Sequence, residues 1–150
     1  MIHIPDLPWT AAAPGSGAGV VLVTRLELER LRDVPAFLRT SLAIRRQVAA
    51  SPGARSLLLR AQPLARTFTT VSAWDDEAAV AAFARAEPHR GAMRAWRPRL
   101  RTFSNTTLPG TAGTAPTVDA ALSAASGSSR PAPGRSRAAS PRAPRAPLAR

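Results

Sequence analysis

The stretch RTFTTVSAWDDEAAVAAFARAEPHRGAMRAW, residues 66–96, decides the fold of this chain. Its first part, Thr67–Trp74, is rich in β-branched and aromatic residues, which favour a β-strand. The spacing of the apolar residues then changes from that of a strand to that of a helix, at Val80 and Phe83. Asp75 can cap this helix by accepting hydrogen bonds from the free amides of the first turn. The stretch therefore predicts a strand that runs directly into a helix.

A break in this helix follows at Pro88, because proline cannot donate to the helical hydrogen-bond ladder. If the helix restarts there, His89 lies in the first turn of the new segment. His89, Met93 and Trp96 then fall at positions i, i+4 and i+7 on one helix face. These three residues have two interpretations. They form a functional site, or His89 packs against Met93 and Trp96 and has the structural role of closing the helix kink.

The flanking segments complete the fold. Val20–Glu29 and Ala54–Gln62 carry apolar runs typical of strands. Between them, the apolar positions of residues 34–50 trace an amphipathic helix with Asp33 as its N-cap. Arg99–Thr107 predicts the last strand. The order β-α-β-β-α-β indicates an α+β fold of the ferredoxin-like type, with two helices on one face of a four-stranded antiparallel sheet.

The other face of this sheet needs a cover. In the strand Thr67–Trp74, the two sets of alternating side chains are both uncharged. A sheet with neutral residues on both faces is expected to bury both of them. We expect two protomers to pair their open faces, which gives a homodimer and completes a dimeric α/β barrel.

The two ends of the chain differ from its centre in composition, since most of the 15 prolines lie there. We interpret residues 1–17 as an extended N-terminal arm that lies along the domain or adds to a sheet edge. Residues 18–108 form the predicted domain. Residues 109–150 are rich in Ala, Pro, Ser and Arg, and we interpret them as a disordered tail. Within this tail, Thr117–Ala125 has the composition for a helical turn or two.

The net charge of +12 is carried by arginine alone, because the sequence contains no lysine. So complete an avoidance of lysine is more typical of a coding bias than of a selected nucleic-acid surface. Weak, non-specific binding of nucleic acid through the Arg-rich tail is still expected at low salt. RNA-binding sheets of this topology carry paired aromatics on a central strand, and the strand RTFTTVSAW lacks them. The sequence therefore does not predict RNA binding through the sheet.

Several classes of site are excluded by composition. The absence of cysteine removes disulfides, thiolate metal sites and cysteine nucleophiles, and fits a cytoplasmic location. No apolar stretch approaches the roughly 20 residues of a membrane span. The motifs G-x-S-x-G and H-E-x-x-H are also absent.

The segment TFTTVSAWDDEAAVAAFARAEPHRGAM resembles small monooxygenase-like proteins of the dimeric α/β-barrel superfamily, namely the spheroidene-monooxygenase-like and antibiotic-biosynthesis-monooxygenase-like domains. The matching residues are Trp74, Asp75, Asp76, Phe83, Pro88, His89 and Met93. The superfamily includes cofactor-free oxygenases of phenolic rings, haem-binding oxygenases and proteins without known activity. The resemblance implies a monooxygenase, that is an oxidoreductase, that acts on or binds a hydrophobic aromatic or polyene molecule.

His89 is the predicted catalytic residue. It can act as a general base, or as the axial ligand of a haem iron, and the sequence leaves haem and cofactor-free chemistry equally open. The predicted pocket around it is formed by Trp74, Phe83, Met93 and Trp96. A non-catalytic dimeric module that binds a small hydrophobic ligand is the alternative.

Overall fold

The computed structural model describes residues 5–11, 15, 17–111 and 116–128. Five strands form one antiparallel sheet: β1 (Leu7–Thr10), β2 (Ala18–Leu28), β3 (Ala54–Gln62), β4 (Thr67–Trp74) and β5 (Leu100–Thr111). The helices are α1 (Val34–Ala50), α2 (Glu77–Arg85), α3 (His89–Trp96) and α4 (Val118–Ser128). Single 3₁₀ turns, Leu31–Asp33 and Arg97–Arg99, precede α1 and follow α3.

The strand order is β1-β3-β4-β2-β5, and every neighbouring pair is antiparallel. The part from β2 to β5 follows the ferredoxin-like order, so the predicted α+β fold is confirmed. Strand β1 adds to the edge beside β3, where it pairs in the register Leu7 to Leu59. The N-terminal arm therefore contributes a strand to the sheet edge.

The predicted bounds of β3 and β4 agree with the structure. Strand β2 begins two residues before its predicted start, and β5 extends past its predicted end to Thr111. Gly53 turns the chain from α1 into β3 with a φ of +82°. A side chain is strained at this angle, and a Cβ there would lie 2.6 Å from the Cβ of Ala79.

The prediction that Asp75 caps α2 is wrong. The cap is Asp76, whose carboxylate accepts from the backbone amide of Ala79 at 2.8 Å. The carboxylate of Asp75 instead accepts from Arg55 through two side-chain hydrogen bonds of 2.7 and 2.6 Å. These hydrogen bonds hold the pKa of Asp75 below its usual value. Asp33 precedes α1 as predicted, but its side chain makes no capping bond.

Helices α1, α2 and α3 cover one face of the sheet, which we call the helix face. Its core is aromatic: Phe37 of α1 stacks edge-on against Phe68 at 4.6 Å between ring centroids and against Trp96 at 5.0 Å. A second aromatic pair, Trp74 and Phe83, lies 5.1 Å apart between centroids. The two edge-to-face contacts of Phe37 are favoured by the ring quadrupoles, whereas the rings of Trp74 and Phe83 are tilted by 40°.

Helix α4 covers the opposite face, which we call the α4 face. Val118 and Ala121 of α4 are fully buried against Val21, Val23 and Val71 of the sheet. The prediction of a disordered tail from residue 109 is therefore wrong for the end of β5 and for α4. The helical turn predicted within Thr117–Ala125 is present, and the helix continues to Ser128 with its apolar stripe buried against the sheet. Residues 129–150 of the predicted tail lie outside the described residues.

Arg60 of β3 fastens both peripheral elements to the sheet. Its guanidinium donates to Asp6, just before β1, at 2.9 and 3.0 Å, and to Asp119 of α4 at 2.7 and 3.3 Å. These hydrogen bonds raise the pKa of Arg60 above its already high ordinary value, and the bond to Asp6 has the larger effect. The uncharged face that led us to expect a dimer is thus covered, in part, by the chain itself.

No helix in the described part of the chain combines the length and apolar character that crossing a bilayer requires.

Candidate functional site

A cavity of about 150 Å³ lies between the helix face of the sheet and helices α1, α2 and α3. We call it the helix-side cavity. Its floor comes from β2, β3, β4 and β5, and its walls include Phe37, Val80 and Phe83. Phe103 of β5 lines it and is 46% exposed, so solvent reaches the cavity beside this strand.

His89 stands at the first residue of α3 and lines this cavity. The residue is half-buried, and its ring lies 4.6 Å from the ring of Phe83 between centroids. Its Nδ1 lies 3.2 Å from the carbonyl oxygen of Ala84. A carbonyl can only accept, so Nδ1 carries the proton of this hydrogen bond. In the neutral ring, Nε2 then keeps its lone pair.

Burial shapes the protonation of His89. Desolvation lowers the pKa of the imidazole below its ordinary value, and the hydrogen bond to Ala84 opposes this only in part. The neutral imidazole therefore prevails at pH 7. A neutral imidazole with a free Nε2 can accept a proton from a bound molecule or receive a hydrogen bond from it.

Gln47 of α1 positions the start of α3. Its Oε1 accepts from the backbone amide of His89 at 2.8 Å. Its Nε2 donates to the carbonyls of Phe83 at 3.2 Å and Ala86 at 3.4 Å. One amide side chain thus joins α1 to the end of α2 and to the first residue of α3. This contact fixes the break around Pro88, so the orientation of the imidazole depends on α1.

Four of the five predicted site residues line the helix-side cavity, namely His89, Phe83, Met93 and Trp96. Trp74 does not line it. Its indole is fully buried behind Phe83 and donates to the hydroxyl of Ser72 at 2.8 Å. The catalytic or binding role of the four residues stays a prediction, and Trp74 is placed to support Phe83.

The sequence interpretation missed a band of neutral polar residues on the cavity floor. Thr70 of β4, Thr24 of β2 and Asn105 of β5 are direct cross-strand neighbours. All three line the cavity, and Thr24 Oγ1 lies 3.3 Å from Asn105 Oδ1. With Oδ1 accepting this bond, the amide hydrogens of Asn105 are free to donate to a bound molecule. The register brings together residues 81 positions apart, and no local pattern encodes it.

Arg45 was also missed. It lies on the α1 face that points to the sheet, lines the cavity, and donates from Nη2 to the carbonyl of Pro8 at 2.8 Å. Its spacing from Phe37 and Ser41 is the signal that could have placed it there. Among the described residues, no group of three or more potential ligand side chains is arranged to hold a metal ion.

Comparison with known proteins gives matches at the level of structure. No protein-family model and no curated protein matches the sequence. A proposed monooxygenase from Lactobacillus acidophilus superposes with a TM-score of 0.56 at 12% identity, over 69% of this chain and 50% of that one. The chain thus spans only half the length of this protein.

Two further structures come from Listeria monocytogenes. The haem-degrading enzyme LmHde gives a TM-score of 0.53 at 17% identity, over 70% of this chain and 67% of that one. An uncharacterised ferredoxin-fold protein related to antibiotic biosynthesis monooxygenases gives a TM-score of 0.51 at 18% identity. The match covers 67% of this chain and 59% of that one. The expected resemblance to antibiotic-biosynthesis-monooxygenase-like proteins is confirmed for the fold, and identities this low show the fold alone.

Proposed function

We propose that this chain is a monooxygenase-like protein that holds one small aromatic ring in the helix-side cavity, with His89 as its general base. The observation that carries the proposal is the His89 imidazole on the wall of a largely apolar cavity, with its Nδ1 bonded to the carbonyl of Ala84. Burial lowers the pKa of this imidazole and favours its neutral form. The structural similarity to monooxygenase-like proteins supports it. A cytoplasmic location remains part of the proposal.

The size of the cavity limits the ligand. A volume of about 150 Å³ equals that of an engineered cavity of about 150 Å³ that binds benzene. Sites for drug-sized molecules are larger, at about 300–1,000 Å³. A single ring fits within the walls, whereas an extended polyene would project into solvent. We therefore narrow the expected ligand to the aromatic class.

Haem does not fit the same space. A porphyrin carries four pyrrole rings, and the cavity has room for one ring. Its lining offers one imidazole and one guanidinium, that of Arg45, whereas haem carries two propionates. We therefore assign no haem-dependent step, and the proposed chemistry is cofactor-free.

The proposed reaction is the oxygenation of a hydroxylated ring by O₂. Nε2 of His89 removes the proton of the ring hydroxyl, and the resulting anion is rich enough in electrons to react with O₂. The ring loses two hydrogen atoms overall and gains one oxygen atom, which makes it a quinone. The second oxygen atom leaves as water, to which His89 returns its proton. We assign Asn105 and Thr70, which line the floor, as donors to the ring oxygen.

A non-catalytic binding module is the second candidate, and one observation favours it. Apart from His89, the cavity lining contains no side chain that can act as a base, since the guanidinium of Arg45 only donates hydrogen bonds. A single base can hold a ring hydroxyl by a hydrogen bond without any turnover. The same cavity and the same ligand class serve both functions.

An oxygen-uptake assay separates the two. Purified protein is mixed with phenol, catechol or hydroquinone in air-saturated buffer, and O₂ consumption is followed together with quinone absorbance. Uptake that His89→Gln abolishes supports the oxygenase. Binding of the ring without O₂ consumption supports the non-catalytic binding module. Added haemin that gives a Soret band lost in His89→Ala would contradict the cofactor-free assignment.

The homodimer stays a proposal, with a changed geometry. Because α4 covers Val21, Val23 and Val71, a dimer through the open sheet face must use the part of this face outside α4 or displace α4. Mass measurement by light scattering at several protein concentrations tests this expectation. The arginines of the tail, at positions 130–150, lie outside the described residues, so weak nucleic-acid binding through them also stays a prediction.

A further inference from the structure

Four arginines in the described part of the chain are half-buried: Arg45, Arg55, Arg60 and Arg66. Three of them have a carboxylate partner. Arg55 pairs with Asp75 at 2.6 Å, Arg60 with Asp6 at 2.9 Å, and Arg66 with Glu27 at 3.0 Å. The ion pairs of the described residues do not include Arg45. Arg45 is the exception, and it is the one of the four that lines the helix-side cavity.

The hydrogen bonds of Arg45 are also incomplete. Its Nη2 donates to the carbonyl of Pro8, which fixes the guanidinium between α1 and β1. Its Nε is buried and has no acceptor among the described residues. A buried donor without a partner is unfavourable, and natural structures usually satisfy it with protein, water or a ligand. A half-buried cation without a counter-charge has also lost part of its hydration, so an anion placed beside it is stabilised more than one at the open surface.

We propose that the missing counter-charge is the carboxylate of the ligand, and that the helix-side cavity selects a monocyclic aromatic carboxylate. The inference rests on the proposed function, since it concerns the same cavity. The volume of about 150 Å³ admits one ring. The planar guanidinium of Arg45 matches the planar carboxylate better than it matches a hydroxyl or an amide. The ring then lies against the aromatic wall, with its carboxylate at the Arg45 end of the cavity.

Matched probes test this selectivity. Benzoate and benzyl alcohol carry the same ring and differ in charge, and acetate carries the charge without the ring. Each is titrated into the full chain, and binding is followed by two-dimensional NMR of the backbone amides and of the His89 ring. We expect benzoate to bind about tenfold more tightly than benzyl alcohol, as a charge-assisted hydrogen bond allows. Acetate should give no saturable shift at the cavity.

Three variants test whether Arg45 causes the preference for benzoate. Arg45→Gln should remove the preference for benzoate and leave the affinity for benzyl alcohol within about twofold, since only the charge-assisted bond is lost. Arg45→Lys keeps the charge and should keep part of the preference, which covers the case in which Arg45→Gln disturbs the docking of β1. Arg46→Gln removes the same net charge from the exposed neighbour and should change neither affinity.

The outcomes are distinct. A benzoate preference that persists in Arg45→Gln would show general attraction to a cationic protein and overturn the inference. Equal binding of the two aromatic probes would also overturn it, while the proposed ring-binding function would stand. If neither aromatic probe shifts the cavity residues, the proposed function itself fails, and the inference fails with it.

Discussion

The two faces of the sheet bury side chains of different size. The helix face holds phenylalanine and tryptophan rings from the sheet and from three helices. The α4 face holds valines of β2 and β4 against Val118 and Ala121. A cavity of about 150 Å³ lies among the rings of the helix face, between the sheet and three helices. The α4 face also has a hollow, of about 530 Å³, but it lies beside the edge strand β5 and no ionisable side chain lines it. The contrast teaches that only the cavity of the helix face combines aromatic walls with groups that can bind a ligand by charge or proton transfer.

The largest expected effect comes from a charge placed on the α4 face. Val118 is 0% exposed, so Val118→Asp puts an unpaired carboxylate against Val21, Val23 and Val71. We expect the free energy of unfolding to fall by about 3–5 kcal/mol, as for other uncompensated buried charges. Urea unfolding measures this change.

The control is Ser123→Asp, which adds the same charge on the exposed side of α4 and should change stability little. If the two variants are equally stable, α4 is not docked in solution and the comparison of the faces fails. If Val118→Asp instead forms a dimer, the freed face pairs as the sequence led us to expect.

One substitution made on both faces sharpens the comparison. Val71→Phe adds a ring beneath α4, where the residue is 0% exposed, and overpacking should cost about 1–3 kcal/mol. Val80→Phe adds the same ring at the wall of the helix-side cavity, where space exists, so its cost should be smaller.

The stability of the two variants is compared by thermal and urea unfolding. Val80→Phe should also abolish the binding of benzyl alcohol, which Val71→Phe should leave intact. Equal costs of the two substitutions would mean that the two faces are packed alike.

The fold was predictable because its signals are local. The bounds of β3 and β4 follow from runs of β-branched and apolar residues, and the break at Pro88 follows from the chemistry of proline. Helix α4 was predicted only as a helical turn or two, because its apolar positions are mostly alanine. They gain stability only from valines about 50–100 residues away in sequence.

The candidate site was predictable in part for the same reason. The spacing of His89, Met93 and Trp96 along one helix placed them together, and all three line the cavity. Arg45 and Asn105 join them only through the packing of α1 on the sheet and the register of β5 on β2. The register that brings Asn105 to the cavity has no counterpart in a local pattern, whereas the helical spacing of Arg45 from Phe37 and Ser41 is a local signal.

A smaller effect is expected at Gln47, which holds α3 in place on the helix face. Gln47→Met removes the acceptor for the backbone amide of His89 and should cost about 1 kcal/mol, the usual contribution of a hydrogen bond. Gln47→Glu keeps this acceptor and should keep more of the stability. In Gln47→Met the pKa of His89 should rise toward its ordinary value as the ring gains solvent. NMR titration of the His89 ring measures this, and an unchanged pKa would show that the contact does not orient the imidazole.

The smallest expected effect is a pH dependence of stability from His89. Because burial lowers the pKa of this imidazole, the unfolded chain binds more protons than the folded chain just below about pH 6.5. Stability is therefore full above this pH and falls as the pH drops through the window between the two pKa values. His89→Gln should flatten this part of the curve, measured by urea unfolding from pH 7 to 5. The loss linked to Asp75 begins only at lower pH, below the ordinary carboxyl pKa.

The central claim is that the helix face encloses a ring-binding cavity with a neutral His89 at its wall. Its most direct test is an NMR titration of the ¹⁵N-labelled imidazole with benzyl alcohol at pH 7. The account predicts an Nε2 without a proton before the titration, a saturable shift of its signal as the ring binds, and loss of this shift in Val80→Phe. A protonated Nε2 at pH 7, or a His89 signal that does not respond to the ring, would contradict it.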